Sequence, residues 1–132
     1  MIEKIFHKNL LFAIVVRNKE FNPGISFLTD DCLTQQLALM KYDKGYCIQP
    51  HYHLPIERVI HGTPETIIIN KGALKVNFYD EGQSKIDSTI LFENEIIMLI
   101  NGGHGFEVLK DETEIIEIKQ GPFQKEKDKI KF

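Results

Sequence analysis

The chain has 132 residues, of which 42% are hydrophobic and 27% charged, and its formal net charge at pH 7 is -3. This length and composition predict a single domain, residues 1–132, with a hydrophobic core of its own. Acidic and basic residues are interleaved, which argues against nucleic-acid or membrane partners. The longest apolar run, residues 10–16, is too short to cross a bilayer, and the opening residues lack the apolar core of a signal peptide. We therefore expect a cytoplasmic protein.

Almost every periodic segment of the chain alternates in the manner of a β-strand. Strands are predicted at residues 10–17, 35–42, 66–69, 74–79, 86–92, 95–100, 106–109 and 114–119. Turn residues separate them at 70–72, 80–82 and 101–103, and Gly72 is suited to a tight hairpin between the strands on either side of it. Short strands at this spacing predict an all-β sandwich or barrel. The charged tail, residues 121–132, is expected at the surface.

Two histidines separated by one residue, His51 and His53, lie in a segment that is predicted as a strand. Alternate side chains of a strand point to the same face, so the two imidazoles would stand side by side, roughly 7 Å apart at the backbone. Both could then bind one metal ion at about 2.1 Å. The two cysteines form no Cys-x-x-Cys pair, so we expect free thiols, with Cys47 buried and inert rather than lining the same cavity.

The spacing around these histidines resembles the first motif of the cupin superfamily. In that family a glycine precedes His-x-His by five residues, as Gly45 does here, and a glutamate precedes a turn glycine by six, as in Glu65 and Gly72. The family gap between the histidines and the glutamate is three or four residues, whereas the gap here is eleven. Glu57 fits the short gap but has no matching glycine. We interpret residues 54–64 as a loop insertion and Glu65 as the match, with Glu57 as the alternative.

A second segment, residues 94–106, resembles the second cupin motif, with His104 as its histidine. The proline and the leading glycine of that motif are absent. The chain is also similar to a subgroup of small single-domain cupins that share a Gly-Gly-His-Gly-Phe-Glu segment, here residues 102–107. That subgroup also shares a Gln-Gly-Pro-aromatic segment, here residues 120–123.

This resemblance implies an all-β double-stranded β-helix, the cupin jelly-roll barrel, over residues 34–120, with the N-terminal strand and the tail appended. It implies one divalent metal ion per chain, Fe2+, Mn2+, Ni2+, Co2+ or Zn2+, in the barrel mouth. The implied ligands are His51, His53, Glu65 and His104. The resemblance also implies a homodimer, in which the apolar N-terminal strand is covered by a second subunit; the alternative is that it folds over its own barrel.

Further candidate residues lie around the expected mouth of the barrel. Arg58, in the inserted loop, could bind a substrate carboxylate or phosphate, although such loop residues are usually a solvated pair, here with Glu57. Gln36 could point into the cavity and bind substrate. An enzyme would also need a general acid or base, for which the candidates are Glu57, His61, Tyr52 and Glu117.

Three hypotheses about the function follow from the resemblance. The first is a metal-dependent enzyme, of the isomerase, epimerase or oxygenase type, acting on a small polar molecule such as a sugar, nucleotide-sugar or keto acid. A likeness to cupins encoded among surface-polysaccharide genes favours a sugar substrate. The second is a non-catalytic module that binds or senses a small ligand, and a third, weaker hypothesis is a cupin that has lost its metal.

Overall fold

The computed structural model describes residues 1–125 and 127–132. Within them lie ten strands: β1 (Ile2–His7), β2 (Leu10–Val16), β3 (Gly24–Phe27), β4 (Ala38–Lys41), β5 (Glu65–Lys71), β6 (Ala73–Tyr79), β7 (Lys85–Phe92), β8 (Ile96–Leu99), β9 (Gly103–Val108) and β10 (Glu114–Lys119). All pairings between these strands are antiparallel. The predicted all-β class is confirmed.

The chain divides into two compact units. The first unit comprises Met1–Lys19 and Thr63–Phe132, and the second comprises Glu20–Gly62. The first unit contains a five-stranded sheet in the order β1-β2-β8-β5-β10 and a three-stranded sheet in the order β7-β6-β9. The second unit contains the two-stranded pairing of β3 with β4.

The core of the first unit lies between its two sheets. On β6 the alternation predicted from the sequence is observed: Leu74, Val76 and Phe78 are at most 1% exposed, and the residues between them are partly exposed. Side chains of the five-stranded sheet complete the cluster, including Ala13, Val15, Ile67, Ile69, Ile97 and Leu99. Burial of each large side chain contributes about 1.5–3 kcal/mol, so this cluster is the main source of stability in the unit.

The N-terminal hairpin contains a strand, β1, that the sequence analysis did not predict. Lys8 and Asn9 connect it to β2 with φ angles of 47° and 65°, as a two-residue hairpin turn requires. The register between the two strands shifts between Ile5 and Phe6. The β-bulge leaves Phe12 as the extra residue of β2 and turns its ring into the core, where it is 3% exposed.

The turn at Gly72 differs from the predicted hairpin. The strands on either side, β5 and β6, belong to different sheets, so the turn carries the chain from one sheet to the other. Gly72 has a φ of 89°, and a Cβ there would lie 2.9 Å from the Thr113 Cα. A glycine with a positive φ indicates a turn, but it does not show whether the strands on either side pair with each other. That depends on how the strands pack around the core. The turn at residues 80–82 does join a paired hairpin, β6 with β7, as predicted.

The predicted strand containing His51 and His53 is also absent, because residues 42–61 form no strand. Pro50 and Pro55 flank the two histidines, and neither proline has a backbone N–H to donate to a neighbouring strand. The strand predicted at 35–42 is shortened to β4. The strand prediction was wrong here because it relied on the alternation of side chains, which does not show where backbone N–H donors are missing.

Candidate metal centre

The two sheets of the first unit are joined at one end of the core by a side-chain pair, Glu65 and His104. Glu65 is the first residue of β5, and His104 lies on β9 opposite the buried Phe78. The His104 Nε2 is 3.0 Å from the Glu65 Oε2. The Glu65 side chain is 13% exposed and that of His104 is 28% exposed, so both remain accessible at the end of the core.

The electrostatic surroundings keep Glu65 ionised. The hydrogen bond from His104 holds the pKa of the Glu65 carboxyl below its ordinary value, and this effect exceeds the opposing effect of burial. Lys119 adds a further positive charge, with its Nζ 3.9 Å from the Glu65 Oε1. A carboxylate that is ionised and largely shielded from water is suited to bind a cation.

Lys119 connects this pair to a second carboxylate. Its Nζ is 2.9 Å from the Glu117 Oε1, and this hydrogen bond is the main cause that raises the pKa of Lys119. The pairing of β10 with β5 places Lys119 beside Glu65 and Glu117 beside Ile67, so both side chains lie on the core-facing side of the sheet. Lys119 also lies over the ring of Phe123, 5.5 Å from its centroid.

The other two predicted metal ligands, His51 and His53, lie in the second unit. Their ring centroids are 5.4 Å apart with an interplanar angle of 74°, so the imidazoles are neighbours although no strand holds them. The His51 Nδ1 is 2.8 Å from the Gln49 carbonyl oxygen. A carbonyl can only accept, so Nδ1 carries the proton and Nε2 of the neutral ring is left as a potential metal ligand.

The four predicted ligands thus form two pairs, Glu65 with His104 in the first unit and His51 with His53 in the second. Among the residues described, no group of three or more His, Cys, Asp or Glu side chains is arranged to hold a metal ion. The complete set of His51, His53, Glu65 and His104 therefore stays a prediction.

The remaining candidates have varied surroundings. Tyr52, Glu57, Arg58 and His61 are all exposed residues of the second unit. Gln36 uses its amide within that unit: it accepts a hydrogen bond from the Thr29 hydroxyl and donates to the carbonyl oxygens of Asp30 and Leu33. Its amide therefore holds a loop, and its role in substrate binding stays a prediction.

The two cysteines are free, as predicted, but both are exposed. The expectation that Cys47 is buried was therefore wrong. Cys47 follows the turn at residues 44–45 in a stretch without strand pairing, so no sheet covers it.

Lys119 was not among the residues predicted for the site. The signal was present in the alternation of β10, in which Ile115, Glu117 and Lys119 share one face. A charged pair that follows an apolar residue on a core-facing side indicates that the core ends there and a polar site begins. Without the pairing of β10 with β5, the sequence alone did not reveal which face of β10 was directed inward.

Comparisons with known proteins add no family assignment. No protein-family model matches the chain, and no curated protein or solved structure matches it. Across the described residues, no helix has both the length and the apolar content needed to cross a membrane.

Proposed function

We propose that this chain is a metal-binding jelly-roll protein of the cupin type. The observation that supports the proposal most strongly is the pair of Glu65, which matches the first motif, and His104, which matches the second. Two ligand atoms at right angles on an ion, each about 2.1 Å from it, lie about 3 Å apart. The Glu65 Oε2 and the His104 Nε2 already lie 3.0 Å apart, so a metal ion that displaces the proton of their hydrogen bond would require little movement of either side chain.

The proposed metal set is completed by His51 and His53. Three imidazoles and one carboxylate suit Fe2+, Mn2+, Ni2+, Co2+ or Zn2+ and leave further positions for a small ligand. A metal bound there would polarise a carbonyl or hydroxyl group of that ligand. The Glu65 carboxylate, kept ionised by its neighbours, would offset part of the charge of the ion.

The arrangement best supports an enzyme that acts on a small molecule with a carboxylate or a phosphate group. Lys119 provides a cation that would bind the carboxylate of a keto acid or a phosphate of a nucleotide-sugar. Glu117, held by Lys119, is the candidate general acid or base nearest to the Glu65–His104 pair by its described contacts. It would transfer a proton to or from the bound ligand. The non-catalytic alternative uses the same metal and Lys119 without proton transfer.

Replacing Glu65 by glutamine is expected to weaken metal binding at least about 100-fold, equivalent to about 2.7 kcal/mol, because a neutral amide replaces an ionised ligand. The matched control is Glu57→Gln, which removes the same charge from the exposed loop and should leave the affinity unchanged. Titration of the metal-free proteins with Co2+ against a competing chelator measures both. The reverse order of effects would show that Glu57 is the carboxylate ligand.

A further inference from the structure

The stretch of chain that follows β10 passes between the two sheets of the first unit. We call its described residues, 120–125 and 127–132, the tail. Near its start the backbone N–H of Gln120 donates to the Pro64 carbonyl oxygen at 3.1 Å. Further along, the Thr63 hydroxyl donates to the Asp128 Oδ1 at 3.2 Å. Both partners, Pro64 and Thr63, directly precede β5, so the tail is held against the beginning of that strand.

The tail then reaches the three-stranded sheet through Phe132. The ring centroids of Phe132 and Tyr79 are 5.2 Å apart at an interplanar angle of 85°, an edge-to-face contact that is favourable for aromatic rings. A Cβ at Gly103, which lies opposite Tyr79, would be 3.4 Å from the Phe132 Cζ. Gly103 begins β9 and immediately precedes His104, just as Glu65 begins β5. The tail therefore crosses from one sheet to the other at the end of the core where Glu65 and His104 meet.

The charges of the tail also act on the site. The hydrogen bond with His104 is the main cause that lowers the pKa of the Glu65 carboxyl, and the positive charge of Lys129 adds to this lowering. The hydrogen bond with Glu117 is likewise the main cause that raises the pKa of Lys119, and the negative charge of Asp128 adds to it. Such effects weaken with distance and with screening by solvent. The tail thus passes close to the charged groups of the site.

We propose that the tail is a strap that closes the Glu65–His104 end of the core and opens to admit a small molecule. The observation that carries this inference is the position of the two side-chain anchors, Asp128 and Phe132, on either side of that pair. The inference rests on the proposed function for the molecule that enters. The closure itself depends only on contacts within the first unit and does not require a metal ion.

Opening is expected at the Phe132 side of the tail. Among the residues described after Lys119, none belongs to a strand, so the tail can detach without breaking the pairing of either sheet. Gln120 follows β10 directly and is bound through its backbone, whereas Asp128 and Phe132 are bound through their side chains. Side-chain contacts of this kind are individually weak. They can break and re-form while the core stays folded, as the contacts of a gating segment must.

Chemical modification of His104 in the metal-free chain tests the closure. Diethyl pyrocarbonate acylates an unprotonated imidazole that it can reach, and mass spectrometry of peptides separates His104 from the other histidines. Phe132→Ala removes one anchor and is expected to raise the rate of modification of His104 by about 2- to 10-fold. Adding Asp128→Ala removes the second anchor and should raise the rate further. The matched control is Ile130→Ala, which shortens an apolar side chain of the same tail that is 86% exposed, and it should leave the rate unchanged.

Co2+ provides a second measurement on the same variants. A strap that gates a site slows entry and exit alike, because both require the open state. Phe132→Ala should therefore raise the rate of Co2+ binding, and the rate of Co2+ loss to a chelator, by similar factors and leave the equilibrium affinity nearly unchanged. A change in affinity with no change in the rate of binding would overturn the gate.

The outcomes separate the strap from the proposed function. Equal rates of His104 modification in the wild-type protein and in the double variant would overturn the strap. Equal acceleration by Ile130→Ala and Phe132→Ala would overturn it as well, as would an equal acceleration at every histidine, which indicates loss of the fold. Faster modification of His104 alone in a protein that binds no Co2+ would support the strap and overturn the metal-binding function.

Discussion

Replacing Gly102 by alanine is expected to lower the free energy of unfolding by about 3 kcal/mol. Gly102 has a φ of 76°, which an alanine adopts only with strain, and a Cβ there would lie 2.1 Å from the Cε2 of Phe12. That ring is 3% exposed in the core, so it has no space into which to retreat. Urea unfolding of the full chain measures the loss.

Two controls separate the clash from the backbone strain. In the Phe12→Leu background the substitution of Gly102 should cost less than it does in the wild-type protein, because the ring that obstructs the new methyl group is gone. Gly82→Ala should change stability by less than about 0.5 kcal/mol, since Gly82 has no positive φ and its new Cβ would approach only the Asp80 Oδ1, at 3.3 Å. Equal stability of wild-type and Gly102→Ala protein would contradict the placement of Phe12.

Replacing Arg17 by methionine should lower the free energy of unfolding by about 2–4 kcal/mol. Its guanidinium donates to the Glu95 carboxylate at 2.5 Å, to the Ile90 carbonyl at 2.8 Å and to the Thr89 hydroxyl at 2.6 Å. The side chains of Arg17 and Glu95 are only 17% and 14% exposed. Without Arg17, the Glu95 carboxylate loses its cation in a place that water reaches poorly.

The matched comparison is Lys71→Met. Lys71 also pairs with a carboxylate, Glu112 at 3.1 Å, but the two side chains are 50% and 82% exposed. Exposed pairs contribute at most about 1 kcal/mol, so this change should alter the urea midpoint little. Equal losses from the two substitutions would show that Arg17 is no more than a surface charge.

The alternation of apolar and polar residues predicted the strands well where one face is buried. In β6, where Leu74, Val76 and Phe78 are buried, the pattern is local and can therefore be recognised in the sequence. The sheet to which a strand belongs depends instead on contacts between distant residues. The turn at Gly72 shows this: its glycine indicated a change of direction but not that β5 and β6 belong to different sheets.

The candidate site was predictable to a similar extent. Motif spacing selected Glu65 and His104, and the structure places them 3.0 Å apart. The strand predicted around His51 is absent, because the spacing of histidines carries no information about the donors that Pro50 and Pro55 remove. Lys119 was missed because its inward direction depends on the pairing of β10 with β5.

Titration of the metal-free wild-type protein with Co2+, followed by its visible absorption and by elemental analysis, tests the proposed metal centre most directly. We expect saturation at about one ion per chain and an absorption band that is lost in His104→Ala protein. The absence of saturable binding, not only by Co2+ but also by Fe2+, Mn2+, Ni2+ and Zn2+, would contradict a metal centre at Glu65 and His104.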